Sequence, residues 1–184
     1  MQVSLEELRQ GDSQAWQELY RTVSPGLYRF LLSRVGDASL AEDLMQEGFF
    51  RLARNLATIR DARSVKSWLY STCCRLTADW HRQNSLECTD DSVRPLSSDA
   101  ADPLAGVIKK ESDEEVLRAV LSLSDAHRTV VMLRIWGELS YSEIRDITGL
   151  SEGTLRSQFY WAMRKLRHML KNAPELRKDV SGNE

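Results

Sequence analysis

The chain has 184 residues, 42% apolar and 28% charged, with a formal net charge of -2; this is enough for one or two domains with a buried core and excludes a wholly disordered chain. No stretch approaches the roughly 20 apolar residues of a membrane span, and the amino terminus lacks a basic-then-apolar leader, so the expectation is a cytoplasmic chain without direct membrane insertion. Cys73, Cys74 and Cys88 are odd in number and two are adjacent, which argues against a disulfide framework.

Ser4 with Glu7 forms a capping box that opens a first helix; Leu5, Leu8, Ala15, Trp16, Leu19, Tyr20 and Val23 recur at helical spacing across an expected break at Gly11-Asp12. Pro25-Gly26 reads as punctuation, after which a second helix carries Leu27, Phe30, Leu31 and Val35 until Gly36-Asp37 ends it. Ser39 and Glu42 make another capping box and start a third helix that runs to about residue 57 through Leu44, Phe49, Leu52 and Leu56. Asp43, Gln46 and Glu47 share roughly one side of it, an arrangement that in most helices is only a solvated face. Gly48 is a poor helix former and points to close approach of another backbone.

Residues 58–66 form a basic loop with Arg60, Arg63 and Lys66. A fourth helix follows from about Ser64 to Asn84, with Val65, Trp68, Leu69, Thr72, Cys73, Leu76 and Trp80 as its apolar stripe. Lys66, Arg75, His81 and Arg82 lie outside the stripe, and aromatic rings among cations suit single-stranded DNA because bases stack on rings while phosphates meet cations. Trp68 lies in the stripe and reads as core. Over 85–111 the helical pattern gives way to Ser, Thr, Asp and Pro, with Pro95 and Pro103, and a flexible acidic linker is expected.

Ser112 with Glu115 caps a further helix, and Val116, Ala119, Val120 and Leu123 begin a second domain spanning 112–172, ahead of a frayed tail at 173–184. Ser124 or Asp125 caps the next helix, with Val130, Val131, Leu133 and Ile135 leading to Gly137. Ser140 with Glu143 forms a capping box, Ile144 and Ile147 give the short helix an apolar stripe, and Gly149 stops it. Ser151 caps a longer helix that buries Leu155, Phe159, Ala162 and Leu166 and turns Arg156, Ser157, Tyr160 and Arg164 outward. A short helix, a glycine turn and a longer helix with a basic free face is the layout that seats a recognition helix in the DNA major groove, although a merely solvated helical hairpin has the same periodicity. The expected fold is all-α: two small helical domains, 1–84 and 112–172, joined by the linker 85–111, the second a helix-turn-helix.

Charge is distributed unevenly, with five basic and two acidic groups in 58–82, eight and four in 126–172, and three and nine in 83–115. Two basic islands separated by an acidic strip can meet a phosphate backbone at two places. No catalytic or metal constellation is visible: His81, His127 and His168 lie on separate helices without a carboxylate partner at i+3 or i+4, and Cys73-Cys74 lacks C-x-x-C spacing, which leaves a metal or redox-sensing role for Cys74 or Cys88 as a minor alternative. A cofactor is not expected, nor is an enzyme.

The runs Ser-Tyr-Ser-Glu-Ile from Ser140 and Gly-Thr-Leu-Arg-Ser from Gly153 resemble the promoter-binding carboxy-terminal domain of bacterial sigma factors of the extracytoplasmic-function type, in the sigma-70 family; response regulators share a similar hairpin. Ala41-Glu-Asp-Leu-Met-Gln-Glu-Gly-Phe resembles the segment with which sigma factors grip the clamp-helix coiled coil of RNA polymerase. Ser67-Trp-Leu-Tyr with Leu76, Asp79 and Arg82 looks like the family's minus-10 helix. The resemblance covers about residues 5–84 and 112–171, in the family's order.

That resemblance implies that residues 1–84 are sigma region 2, with Asp43, Gln46 and Glu47 as polar contacts to core polymerase and Leu44 and Phe49 packing nearby. It implies that Arg60, Arg63, Lys66, Tyr70, Arg75, Asp79 and Arg82 meet the melted minus-10 strand. Residues 112–172 would be region 4, with Thr154, Arg156, Ser157, Tyr160, Trp161 and Arg164 on the minus-35 duplex. The implied partners are core RNA polymerase, through its beta-prime clamp helices and beta flap, promoter DNA, and an anti-sigma factor, often membrane-linked, for which Tyr160, Trp161 and Met163 offer an apolar landing site. Ser71 and Cys74 stand where the family usually has basic residues, Arg75 where it frequently has Asn, and Gln158, Trp161 and Met163 where Arg or Lys is common, so a weaker minus-35 grip is expected. The competing expectation is a stand-alone helix-turn-helix transcriptional regulator, which has no reason to carry the Asp43 to Phe49 segment.

Overall fold

The structure is a computed structural model that describes residues 4–85 and 111–170, the side chains of Ser85 and residues 111–114 excepted. The expected linker beyond Ser85, the tail and the Ser112 cap therefore lie outside the described residues or side chains. All regular structure among the described residues is helical.

Helix α1 (Leu5–Arg9) is capped by Ser4, whose Oγ accepts from the Glu6 amide. Asp12 Oδ1 accepts from the Ala15 amide at 2.8 Å and opens α2 (Ser13–Val35). Here the sequence expectation is corrected, because α2 runs unbroken through Pro25-Gly26. An interior proline costs roughly 3 kcal/mol of helix, but Leu19, Val23, Leu27, Phe30 and Leu31, on both sides of it, are buried in one core and outweigh that cost. Gly26 is a packing position: a Cβ there would collide with the Trp136 carbonyl oxygen and crowd Tyr70 Oη at 2.8 Å.

A left-handed Gly36 closes α2 and leaves Asp37 extended, so Asp37 rather than Ser39 caps α3 (Ala38–Asn55), its Oδ1 accepting from the Leu40 amide at 2.9 Å. A 3-10 turn (Leu56–Thr58) leads through the basic loop to α4 (Ser64–Ser85). Helices α2, α3 and α4 close a core around Phe30, Leu52, Leu69 and Tyr70.

The second half comprises α5 (Glu111–Leu121), α6 (Asp125–Val131), a π turn (Met132–Trp136), α7 (Tyr141–Thr148) and α8 (Glu152–Leu170). Ser124 stands at the α6 N-cap without a side-chain hydrogen bond. The Ser140–Glu143 capping box forms in full, and Gly149 ends α7 at φ +74°, a conformation that non-glycine side chains rarely adopt. Leu155, Ala162 and Leu166 bury the inner face of α8 against α6 and α7, while Phe159 is half-buried.

The two halves pack together and share one continuous apolar core. The π turn rests on α2 and α7 on α4. Arg34 Nη1 donates to Asp125 at 2.9 Å, and Lys66 Nζ donates to Glu138 Oε2 at 2.7 Å, linking the halves at two points.

Candidate nucleic-acid interface

Three surfaces carry the residues singled out in the sequence. The first is the outer side of α3. Its inner side buries Ala41, Met45, Gly48 and Leu52, and helical periodicity then turns Asp43 and Gln46 to solvent, where neither makes a hydrogen bond or ion pair with the described residues. Glu47 holds Arg51 at 2.7 Å, Leu44 is half-buried, and Phe49 stacks against Tyr20 at 5.0 Å between ring centroids. The neighbour at Gly48 is not another backbone, as expected, but the Cys73 side chain on α4. Phe50, which sequence reasoning missed, is 57% exposed beside this surface; the doublet Phe49-Phe50 was the signal, since only one of two adjacent helical residues can face the core.

The second surface is the basic loop with α4. Arg60, Arg63, Arg75, Asp79 and Arg82 are exposed, the last three at helical spacing on one side of α4. Asp61 accepts from the Arg63 guanidinium and amide, and these hydrogen bonds hold its carboxyl below the ordinary aspartate value. Arg82 is paired with Asp79. Lys66 and Tyr70 are not brought together with this group. The Lys66 side chain is only 15% exposed and pairs with Glu138, whose own pKa that hydrogen bond lowers. Tyr70 is 0% exposed, edge-on to Phe30 at 5.6 Å, and burial raises its hydroxyl pKa. In this arrangement the second half covers both residues, so neither is open to a DNA strand.

The third surface is the free side of α8. Ser151 Oγ accepts from the Thr154 amide at 3.1 Å and starts the helix, and Thr154, Arg156, Ser157, Tyr160, Trp161 and Arg164 are all exposed along it. Trp161, 50% exposed, lies edge-on to Tyr160 at 5.5 Å and carries the Arg164 guanidinium over its ring at 5.2 Å. Arg156 reaches the Tyr141 ring face at 4.4 Å and Glu152 Oε2 at 3.3 Å. Tyr141 was not among the residues expected here, because its role depends on a contact across the turn that periodicity cannot show. An exposed helix face with cations, a hydroxyl and aromatic rings can offer hydrogen bonds to base edges and charge to phosphates. Among the described residues no group of His, Cys, Asp and Glu could hold a metal ion, and no helix is long and apolar enough to cross a membrane.

Comparison with known proteins adds independent findings. The family model described as sigma-70 region 2 matches residues 19–87, and that of sigma-70 region 4 matches residues 113–166. The ECF RNA polymerase sigma factor SigM of Bacillus subtilis is 33% identical over 153 residues, covering 82% of this chain and 91% of that protein. The ECF RNA polymerase sigma factor BldN of Streptomyces coelicolor is 30% identical over 169 residues, covering 90% of this chain and 64% of that protein. Among solved structures, the sigma factor RpoE in complex with the anti-sigma factor NepR from Bartonella quintana shares the fold, with a TM-score of 0.63 at 20% identity over 86% of this chain and 98% of that one.

Proposed function

Since the chain belongs to the extracytoplasmic-function sigma factors of the sigma-70 family, we propose that it is a promoter-specificity subunit that binds core RNA polymerase and directs initiation at promoters with its own minus-35 and minus-10 elements. Residues 1–84 form the polymerase-binding and minus-10 half and residues 112–172 the minus-35 half, joined by 85–111. Asp43, Leu44, Gln46, Glu47 and Phe49 meet the polymerase clamp, and Arg60, Arg63, Lys66, Tyr70, Arg75, Asp79 and Arg82 meet the opened minus-10 strand, Lys66 and Tyr70 once the second half has moved away. Thr154, Arg156, Ser157, Tyr160, Trp161 and Arg164 face the minus-35 duplex.

The observation that carries this proposal is the pairing of two exposed helix faces in one chain: α3 with Asp43 and Gln46 unpaired among the described residues, and α8 with its polar and aromatic side exposed. Either face alone fits many helical proteins; together they supply a polymerase grip and a duplex grip whose weak affinities add when the enzyme fixes their separation. The solved structure of RpoE bound to the anti-sigma factor NepR supports regulation of this chain by an anti-sigma protein, for which Tyr160 and Trp161, 61% and 50% exposed, are an apolar landing site. The factor works in the cytoplasm with the polymerase, contributes no catalytic group of its own and uses no cofactor.

In vitro transcription with core polymerase over a random promoter library tests the proposal. Promoter-selective transcripts are expected from the wild-type chain and none from the double charge reversal Asp43→Lys, Glu47→Lys. A wild-type chain that neither binds core nor directs selective transcripts refutes it.

A further inference from the structure

We propose that Tyr141, on the short helix α7, is a positioning residue for base reading: its ring face fixes the guanidinium of Arg156 on α8 while leaving the donor edge free for a base. The inference rests on the reading of Arg156 as a minus-35 contact.

Arg156 projects from the second turn of α8 on a long side chain with many rotamers, so its aim toward a groove depends on what holds it. Two groups do. The Tyr141 ring lies 4.4 Å from the guanidinium carbon, within cation–π range, and Glu152 Oε2 accepts from Nη2 at 3.3 Å.

These holders are chemically unlike. The carboxylate occupies an N–H donor and offsets the positive charge; the ring touches the flat face and occupies no donor. Bidentate recognition of a guanine edge needs two N–H groups on one side of the guanidinium, so only the ring can keep hold of Arg156 while it reads a base. Glu152 also has a second cation in reach, Arg145 Nη1 at 3.5 Å, so it keeps a partner when Arg156 turns away.

The platform itself is well anchored. Tyr141 is the first residue of α7, directly after the capping box at Ser140, and its ring lies edge-on to Phe159 of α8 at 6.3 Å. On the same ring sits Arg134 at 5.4 Å, whose Nη1 donates to the Leu139 carbonyl at 3.0 Å. The ring is therefore fixed by a helix start, a neighbouring aromatic and a backbone-tethered arginine, and Arg156 inherits that order.

The test is transcription by core polymerase with the full chain from a library randomised at minus-35 and fixed at minus-10, read as base preference at each position. Arg156→Ala is expected to flatten one position, and Tyr141→Leu, which keeps an apolar contact to Phe159, to flatten the same position by about tenfold with other positions nearly unchanged. Tyr141→Phe retains the ring face and the preference. The double variant Tyr141→Leu, Arg156→Ala is no flatter than Arg156→Ala alone. Additive losses, an equal loss at all positions, or an untouched profile in Tyr141→Leu beside a flattened one in Arg156→Ala overturns the role of Tyr141 alone. A profile unchanged in Arg156→Ala overturns the reading of Arg156 and this proposal with it. Should Tyr141→Leu fail to fold, Glu152→Gln decides: it is expected to strengthen use of all minus-35 sequences while sparing the preference at the Arg156 position, and flattening there makes Glu152 the holder and overturns the proposal.

Discussion

The thiols of Cys73 and Cys74 are adjacent on α4, yet neither is placed to react. Cys73 is 0% exposed and packed on Gly48, and burial pushes its thiol up to about 12; Cys74 is half-buried and burial pushes it up to about 11. The nucleophile is the thiolate, so at neutral pH well under ~0.1% of either side chain is reactive. In the native protein both are expected to resist iodoacetamide at neutral pH and to label rapidly in urea, as read by peptide mass spectrometry; rapid native labelling of Cys74 would restore a redox role for it. Tyr70 presents a different case, because its hydroxyl is buried without a hydrogen-bond partner among the described residues. A buried unpaired polar group costs about 1–3 kcal/mol, so Tyr70→Phe should leave stability unchanged or raise it by about 1 kcal/mol in urea unfolding. If the hydroxyl meets DNA after the halves part, the same variant weakens promoter opening while stabilising the free chain.

At the level of single helices, α7 depends most on its ends. It has eight residues, too few to be stable from propensity alone, and is held by the Ser140–Glu143 capping box and a left-handed Gly149. Ser140→Ala should cost about 1 kcal/mol and Gly149→Ala a similar amount or more, with thermal unfolding as the measurement. These signals were legible in the sequence because each is a local rule about which side chain or backbone conformation ends a helix. Gly36 was legible for the same reason, and Gly11-Asp12 only as a break, not as the cap that Asp12 makes. The failures were equally physical. Pro25-Gly26 carries a strong local stop signal that a core on both sides overrides, and the use of Gly26, as a seat for the Trp136 carbonyl, involves a residue more than a hundred positions away. Ser39 lost the cap to Asp37 because the turn at Gly36 set Asp37 extended first. Gly48 was read as the close approach of a backbone, whereas its neighbour is a side chain, and that pairing is testable: a Cβ at 48 would lie 2.8 Å from Cys73 Sγ, so Gly48→Ala should destabilise and Cys73→Ala should relieve it. In a double-mutant cycle the pair should be more stable than the sum of the single effects by about 1 kcal/mol; simple additivity would show that α3 and α4 shift apart freely.

For the molecule as a whole, the packing of the two halves conflicts with the proposed use of both. The outer side of α3 stays open, but Lys66 and Tyr70, which are proposed to meet the minus-10 strand, are covered in this arrangement, so that proposed role requires the halves to separate. Against the apolar core that the halves share stands the buried Tyr70 hydroxyl, which has no hydrogen-bond partner among the described residues and works against closure. Gly26→Leu is therefore expected to part the halves, since its side chain would occupy the space of the Trp136 carbonyl and Tyr70 Oη. Small-angle scattering should show a larger radius of gyration with helix content retained, and an unchanged radius would mean that α2 itself yields. Acid should act in the same direction. The hydrogen bond from Lys66 lowers the Glu138 pKa, so the pair's contribution is fully present above the ~4.3 of an unfolded glutamate and is lost as pH falls through the lower folded value. Glu138→Gln should remove this acid-driven opening in scattering measured at low salt, and added salt should reduce the wild-type effect by screening a pair whose carboxylate faces water. An opening that persists unchanged in Glu138→Gln would assign the acid sensitivity to other carboxylates and leave Lys66 covered for a reason other than its charge.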